Sequence, residues 1–125
     1  MATPKLEKGY LILNDEAKNH PKKAATKEGA FLYGENITDL KTVDLVVEGS
    51  VAVDIEGNRL GKGGGYGDRE ISDLYNRKVI NVNTPIATTI HPLQVKNSVP
   101  VLEHDFKINM IVTSKSKIYT KNFNF

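Results

Sequence analysis

The chain has 125 residues, with 39% hydrophobic and 26% charged side chains, the balance of a globular domain with a modest core rather than a disordered tail. Cysteine is absent, which excludes disulfides, thiolate chemistry and cysteine-ligated metals. A net charge of +2 is too small for a nucleic-acid binder, no stretch approaches the ~20 apolar residues of a membrane span, and Met1–Leu6 lacks a signal peptide's apolar run. A single domain over residues 1–125 is expected, cytoplasmic, with no nucleic-acid or membrane partner.

In chain order, Gly9–Leu13 is a short apolar run and reads as a buried strand. Residues 15–29 are polar, with Pro21 in the middle, and read as a loop with at most a helical turn. The excess of Lys18, Lys22, Lys23 and Lys27 there reads as solvated surface. Ala30–Gly34 reads as a short strand or a packed turn. The strongest strand signal is Val43–Asp54, β-branched and nearly continuous in apolar residues, as in sheets covered on both faces. An inner strand is predicted there, with Gly49 marking a bulge or a close backbone approach. Glu56-Gly57-Asn58 reads as a turn. Ile71, Leu74 and Tyr75 share a helical face, and Asp68 is a natural N-cap for that helix. Val79–Asn83, Ile86–Ile90, Lys107–Thr113 and Lys117–Thr120 are strand-like. The order strand, glycine-rich loop, helix, strand predicts an α/β fold with three layers and a mostly parallel sheet.

Five of the seven residues from Gly61 to Gly67 are glycine. Such a cluster makes either a mobile surface loop or a loop whose backbone N–H groups approach an anion. Its place before a helix N-terminus favours the second, since unpaired N–H groups and the helix dipole attract phosphate there. Lys62 and Arg59 add cationic donors. The loop fits neither of two common phosphate motifs: Gly61-Lys62 is followed by Gly63 rather than Ser or Thr, and a dinucleotide fingerprint counted from Gly61 would need glycine where Tyr66 stands.

Asp54, Gly57, Arg59, Leu60, Gly61, Gly63, Gly65, Tyr66, Asp68 and Arg69 match the signature of 5-formyltetrahydrofolate cyclo-ligases, also called methenyltetrahydrofolate synthetases. Gln94, the stretch Val99–Asp105 with its His104-Asp105 pair, and Ile111-Val112-Thr113 resemble the family's closing pattern in order. The run Gly49–Asp54, the loop Gly61–Tyr66 and Thr88-Thr89-Ile90-His91 with Gln94 are similar to the archaeal branch. The chain resembles the C-terminal part of the family, without its N-terminal portion. Two positions depart from the pattern: Gly67 replaces a second tyrosine, and Asn109 stands where many members have aspartate.

The resemblance implies conversion of 5-formyltetrahydrofolate to 5,10-methenyltetrahydrofolate with ATP and Mg²⁺. The formyl oxygen takes the γ-phosphoryl group, N10 closes the ring, and phosphate leaves, a reaction governed by positioning and charge neutralisation. It implies Gly61, Lys62, Gly63, Gly64, Gly65 and Tyr66 as nucleotide-binding residues and Lys62, Arg59 and Tyr66 as catalytic ones. Asp68 becomes the Mg²⁺ ligand, because Mg²⁺ prefers one or two carboxylates plus phosphate oxygens. Simpler roles stand beside these: Asp68 as a cap, Arg59 as a partner of Asp54, Tyr66 as a core aromatic. His91, following a strand, is a candidate neighbour of the site; His104 has no nucleophile beside it and reads as a structural hydrogen-bonding residue, and His20 reads as a loop residue. A non-catalytic nucleotide-binding module is the alternative, and the expected partners are a folate substrate, a second copy, or a chain supplying the remaining portion.

Overall fold

A computed structural model of the chain describes every residue except His104. The chain forms two compact units, Met1–Leu40 and Lys41–Phe125.

In the first unit, β1 (Tyr10–Leu13) and β2 (Gly34–Ile37) pair antiparallel, with Tyr10 opposite Ile37 and Leu13 opposite Gly34. The intervening segment is helical where a loop was predicted. Asn14 caps a 3-10 turn, Asp15–Asn19, by accepting from Ala17 N. Pro21 opens α1 (Pro21–Ala24) at a position where its missing N–H costs nothing. Thr26 Oγ1 then accepts from Gly29 N at 3.0 Å and caps α2 (Lys27–Tyr33). Ala30–Gly34 is therefore the end of a helix and the first strand residue, not a strand or turn of its own. Burial in β1 is confined to Tyr10 and Leu11; Ile12 is exposed.

The second unit contains β3 (Val46–Val47), β4 (Ala52–Val53), β5 (Arg59–Leu60), α3 (Tyr66–Asn76), β6 (Ile86–Thr89), β7 (Met110–Val112) and β8 (Lys117–Tyr119). Among the described residues its main sheet runs β3-β6-β7-β8, parallel across the first two pairs and antiparallel at the last. This is an α/β architecture with a mixed, mostly parallel sheet. The core gathers Ile86, Ala87 and Thr88 from β6, Ile108 and Ile111 around β7, and Val53 and Ile71.

The segment Val43–Asp54 is not one inner strand. Glu48 N still bonds Ala87 O at 2.9 Å, but Val51 N bonds Leu60 O at 2.8 Å, so the chain leaves the main sheet within three residues and enters the hairpin β4–β5. Ser50 Oγ, 2.7 Å from the buried Thr88 Oγ1, anchors the crossing. β3 lies at the sheet edge, with Val47 59% exposed. Val79–Asn83 forms no strand either. The N–H groups of Val79 and Ile80 turn back to Leu74 O, so these two residues are apolar because they plug the end of α3. The strands predicted at Ile86–Ile90, Lys107–Thr113 and Lys117–Thr120 are present in shortened form.

The hairpin is fixed by Asp54, 1% exposed. Its Oδ1 accepts from Glu56 N and Asn58 N, both at 3.0 Å. Its Oδ2 accepts from Asn58 Nδ2 at 3.0 Å and from Val99 N at 2.9 Å. Arg59 makes no pair with Asp54. Gly57 completes the predicted turn at φ +88°, where a Cβ would lie 2.4 Å from Ile108 O. Burial alone would raise the Asp54 pKa; the hydrogen bonds from Asn58, Val99 and Glu56 outweigh it and hold the carboxyl below its usual 3.8.

Asp54→Ala leaves buried N–H groups unpaired and is expected to cost about 3 kcal/mol, lowering Tm by roughly 10 °C at pH 7. A depressed native pKa contributes stability above pH 3.8 that disappears as pH falls through the native value, so the gap between parent and variant should narrow toward pH 2. Calorimetry at both pH values checks this; equal Tm values at pH 7 would remove the role given to Asp54.

Candidate functional site

β5 delivers the chain into the glycine loop, which enters α3 directly. Gly63 (φ +97°) and Gly65 (φ +70°) take left-handed conformations that side chains disfavour. The helix begins at Tyr66, with Gly65 as its left-handed N-cap three residues before the predicted Asp68 and no side-chain cap. Asp68 is therefore the third helical residue and not the cap. Its Oδ1 receives a long bond, 3.4 Å, from Phe106 N.

Two arginines flank the loop. Arg69 donates to the carbonyls of Gly64 and Gly65 and lies 4.5 Å over the exposed Tyr66 ring. Arg59 turns inward: Nε donates to Gly49 O at 2.8 Å, Nη2 is 3.7 Å from Glu48 Oε1, and the guanidinium sits 5.1 Å from the Phe106 ring centre. Its side chain is only 10% exposed. Lys62, by contrast, is fully on the surface of the loop.

The loop forms one wall of a cleft of about 540 Å³. Lys62, Arg59, Tyr66 and the glycines Gly61, Gly63, Gly64 and Gly65 all line it, so the structure brings the predicted residues together. Glu48, Asp68, Glu70 and Asp105 line it as well, and an apolar side is made by Val51, Leu60, Pro100 and Leu102. Four carboxylates face two cations. A bare polyanion is opposed by that balance, whereas a divalent cation offsets it. Among the described residues no three His, Cys, Asp or Glu side chains converge as a metal site of protein ligands alone. Asp68 and Asp105 are hard oxygen donors in the same cleft and suit Mg²⁺ shared with phosphate oxygens.

Glu48 carries the strongest electrostatic perturbation. Burial, then the neighbouring Glu70 carboxyl through charge and a hydrogen bond, raise its pKa to about 7; Asp68 adds to this and Arg59 opposes it. Sequence reasoning missed Glu48 and Glu70, although a carboxylate inside the apolar run Val46–Val53 was a usable signal. It also left Asp105 without a role.

The other singled-out residues lie elsewhere. His91 caps the turn Pro92–Gln94 by accepting from Leu93 N at Nδ1, and Gln94 Nε2 donates to Val51 O at 2.9 Å. His20 stacks on Tyr33 in the first unit. His104 lies outside the described residues. Asn109 is a structural clamp: Oδ1 accepts from Ile86 N at 2.7 Å and Nδ2 donates to Asn122 O at 2.9 Å. It does not line the glycine-loop cleft, so its departure from aspartate takes nothing from a metal there.

The model of the 5-formyltetrahydrofolate cyclo-ligase family matches residues 10–114. The methenyltetrahydrofolate synthase domain-containing proteins of Homo sapiens and Bos taurus are 39% identical over 104 residues and 38% identical over 103. The Danio rerio protein of the same name is 33% identical over 114 residues. The matches cover 79%, 79% and 81% of this chain but only 27%, 27% and 30% of the relatives, so the chain spans less than a third of their length. The chain belongs to the 5-formyltetrahydrofolate cyclo-ligase family. Among the described residues no helix is long and apolar enough to cross a membrane.

The raised pKa of Glu48 gives it a contribution to stability that falls with rising pH. The unfolded chain ionises this group from pH 4.5, the folded one only near 7, so the native state is favoured below 4.5 and loses that advantage as pH climbs to 7. Glu48→Gln cannot ionise. Its Tm should exceed the parent's by roughly 2–5 °C at pH 8 and match it near pH 4 in magnesium-free buffer. A difference that does not change with pH would contradict this.

Proposed function

We propose that the cleft binds ATP with Mg²⁺ and serves cyclo-ligase chemistry, the ring closure of 5-formyltetrahydrofolate to 5,10-methenyltetrahydrofolate. The observation that carries this reading is the glycine loop feeding the N-terminus of α3 inside a cleft that also presents Asp68 and Asp105. Backbone N–H groups of Gly61, Gly63, Gly64 and Gly65 bind phosphate oxygens, with the α3 dipole behind them. Lys62 swings over the phosphates and neutralises charge, a task its exposure suits. Asp68, with Asp105, would hold Mg²⁺, which would supply positive charge to offset the cleft's carboxylates and the phosphates. Tyr66 offers its exposed ring to nucleobase or folate, and Arg59 adds positive charge beneath the loop. The reading carries with it a cytoplasmic protein in the family's three-layer form, either self-associated or completed by a second chain.

The second reading is a nucleotide-binding module that does not turn over. Gly67, in place of the second tyrosine, favours it by removing one aromatic contact from the cleft. The two readings separate cleanly: both require Mg·ATP binding, and only the first produces methenyltetrahydrofolate absorbance when the purified chain is given 5-formyltetrahydrofolate, Mg²⁺ and ATP.

Lys62→Ala should weaken Mg·ATP binding by roughly 1–3 kcal/mol in calorimetry, the scale of a charge-assisted hydrogen bond. Unchanged affinity would end the phosphate assignment. Asp68→Ala should abolish the Mg²⁺-dependent part of binding. Because Asp68 is not the helix cap, Tm should fall by no more than roughly 4 °C. A large loss of Tm with normal binding would return Asp68 to a structural role.

A further inference from the structure

A second cavity, of about 340 Å³, lies in the Lys41–Phe125 unit, and no residue lines both it and the glycine-loop cleft. α3 runs from one to the other: Tyr66 lines the cleft and Tyr75 the cavity, roughly 14 Å apart along the helix axis. The cleft opens after β3, at Glu48, whereas the cavity is bounded by Ile86 at the start of β6 and Asn109 just before β7. It therefore sits at the entry ends of the parallel strands, while ligands of open α/β sheets ordinarily sit at the exit ends. Its volume is within the roughly 300–1,000 Å³ of small-molecule sites.

Three rings, Tyr75, Phe106 and Phe125, form part of the wall. Phe125 makes an edge contact with Phe123, which packs in turn on Tyr119 of β8. Asn83, Asn122 and Asn124 also line the cavity, and among the described residues their side-chain amides make no hydrogen bond within the chain. The one charged side chain on the described wall is Lys107. Its ammonium donates to Asn58 Oδ1, which leaves two of its three donors. Among the described residues no acidic group pairs with it, the terminal carboxylate included. Asn109, at the position where many cyclo-ligases carry aspartate, lines the same cavity as a neutral amide. The charge balance is thus opposite to that of the cleft, where carboxylates outnumber cations.

We propose that this cavity is a second small-molecule site and that it takes a planar aromatic carboxylate. The carboxylate meets the Lys107 ammonium and the amide N–H groups of the asparagines, a charge-assisted pairing. The ring packs against the aromatic part of the wall. Each asparagine offers both a donor and an acceptor, so a heteroatom in the ring also finds a partner. An aspartate at position 109 would place a competing charge in the cavity; the asparagine leaves the ammonium to the ligand. The site needs nothing from the glycine loop and stands whether or not the cleft binds nucleotide.

The test titrates the full ¹⁵N-labelled chain with nicotinate at pH 7, with nicotinamide and cyclohexanecarboxylate as controls for the charge and the ring. Nicotinate should saturably shift the backbone amides of Thr84, Phe106 and Lys107 and the side-chain amides of Asn122 and Asn124, leaving Gly61–Gly65 in place. A Kd on the order of 1 mM is expected for so small a ligand. Nicotinamide and cyclohexanecarboxylate should each bind at least fivefold more weakly. Lys107→Gln, which keeps a donor for Asn58, should bring nicotinate down to the level of nicotinamide with an unchanged circular dichroism spectrum. Asn122→Asp, which adds a carboxylate where the amide has no partner, should weaken nicotinate at least threefold. The proposal is overturned by the absence of any saturable shift, by shifts confined to Gly61–Gly65, by nicotinamide binding as well as nicotinate, or by full affinity in Lys107→Gln or Asn122→Asp. Mg·ATP is titrated into the same parent chain, so failure of the nucleotide reading and failure of this site are read separately.

Discussion

The Asp54 carboxylate is the constraint on which the site depends. Four N–H donors from Glu56, Asn58 and Val99 converge on its two oxygens inside the protein. Burying a carboxylate is unfavourable unless such donors satisfy it, and here they do so well enough to lower its pKa. The turn that results directs β5 back along β4, and β5 has only two residues, Arg59 and Leu60. Any change in that turn moves Arg59 and the start of the glycine loop together. The bond to Val99 also ties the hairpin to the segment that carries Pro100, Leu102 and Asp105, the far side of the cleft. One buried charge thereby sets the distance between the cleft's two walls.

The distribution of charge around the cleft follows from depth. Arg59 and Glu48 have side chains 10% and 16% exposed, whereas Lys62 stands in water. Deep charges act strongly on their neighbours and little on solvent, which is why Glu48 responds to Glu70 and Asp68. A surface lysine keeps its freedom to reach a ligand. The same loop thus separates a buried cation set among protein groups from an exposed one.

The amino-acid pattern made the chemistry of the loop more legible than the course of the chain around it. The glycine cluster, the turn at Glu56–Asn58 and the strands β6, β7 and β8 follow from local rules: conformational need for glycine, carboxylate-centred turns, β-branched runs. Val43–Asp54 misled because continuous apolarity reports burial and not extension; Ser50 bonds Thr88 and the chain changes sheets. Val79 and Ile80 misled for the same reason, being buried as a helix plug. Residues 15–29 looked like loop because their buried apolar side chains are only Ala17 and Ala24. Asp68 has the chemistry of a cap, but a left-handed Gly65 starts the helix before it. Glu48 and Glu70 lie 22 positions apart in sequence, and nothing local to either reveals that they share a hydrogen bond.

The loop's two arginine supports divide it unevenly. A Cβ added at Gly61 would lie 3.1 Å from Arg59 Nη1, and Gly64 and Gly65 are held by Arg69 through their carbonyls. Between these supports stand Lys62, exposed, and Gly63, which would have nothing within 4 Å of an added Cβ. Ordering a residue costs about 1–2 kcal/mol of backbone entropy. A loop so flanked leaves that cost for two residues rather than seven, so a glycine-rich segment, the most flexible composition available, can hold a defined shape at the entropic expense of a short turn.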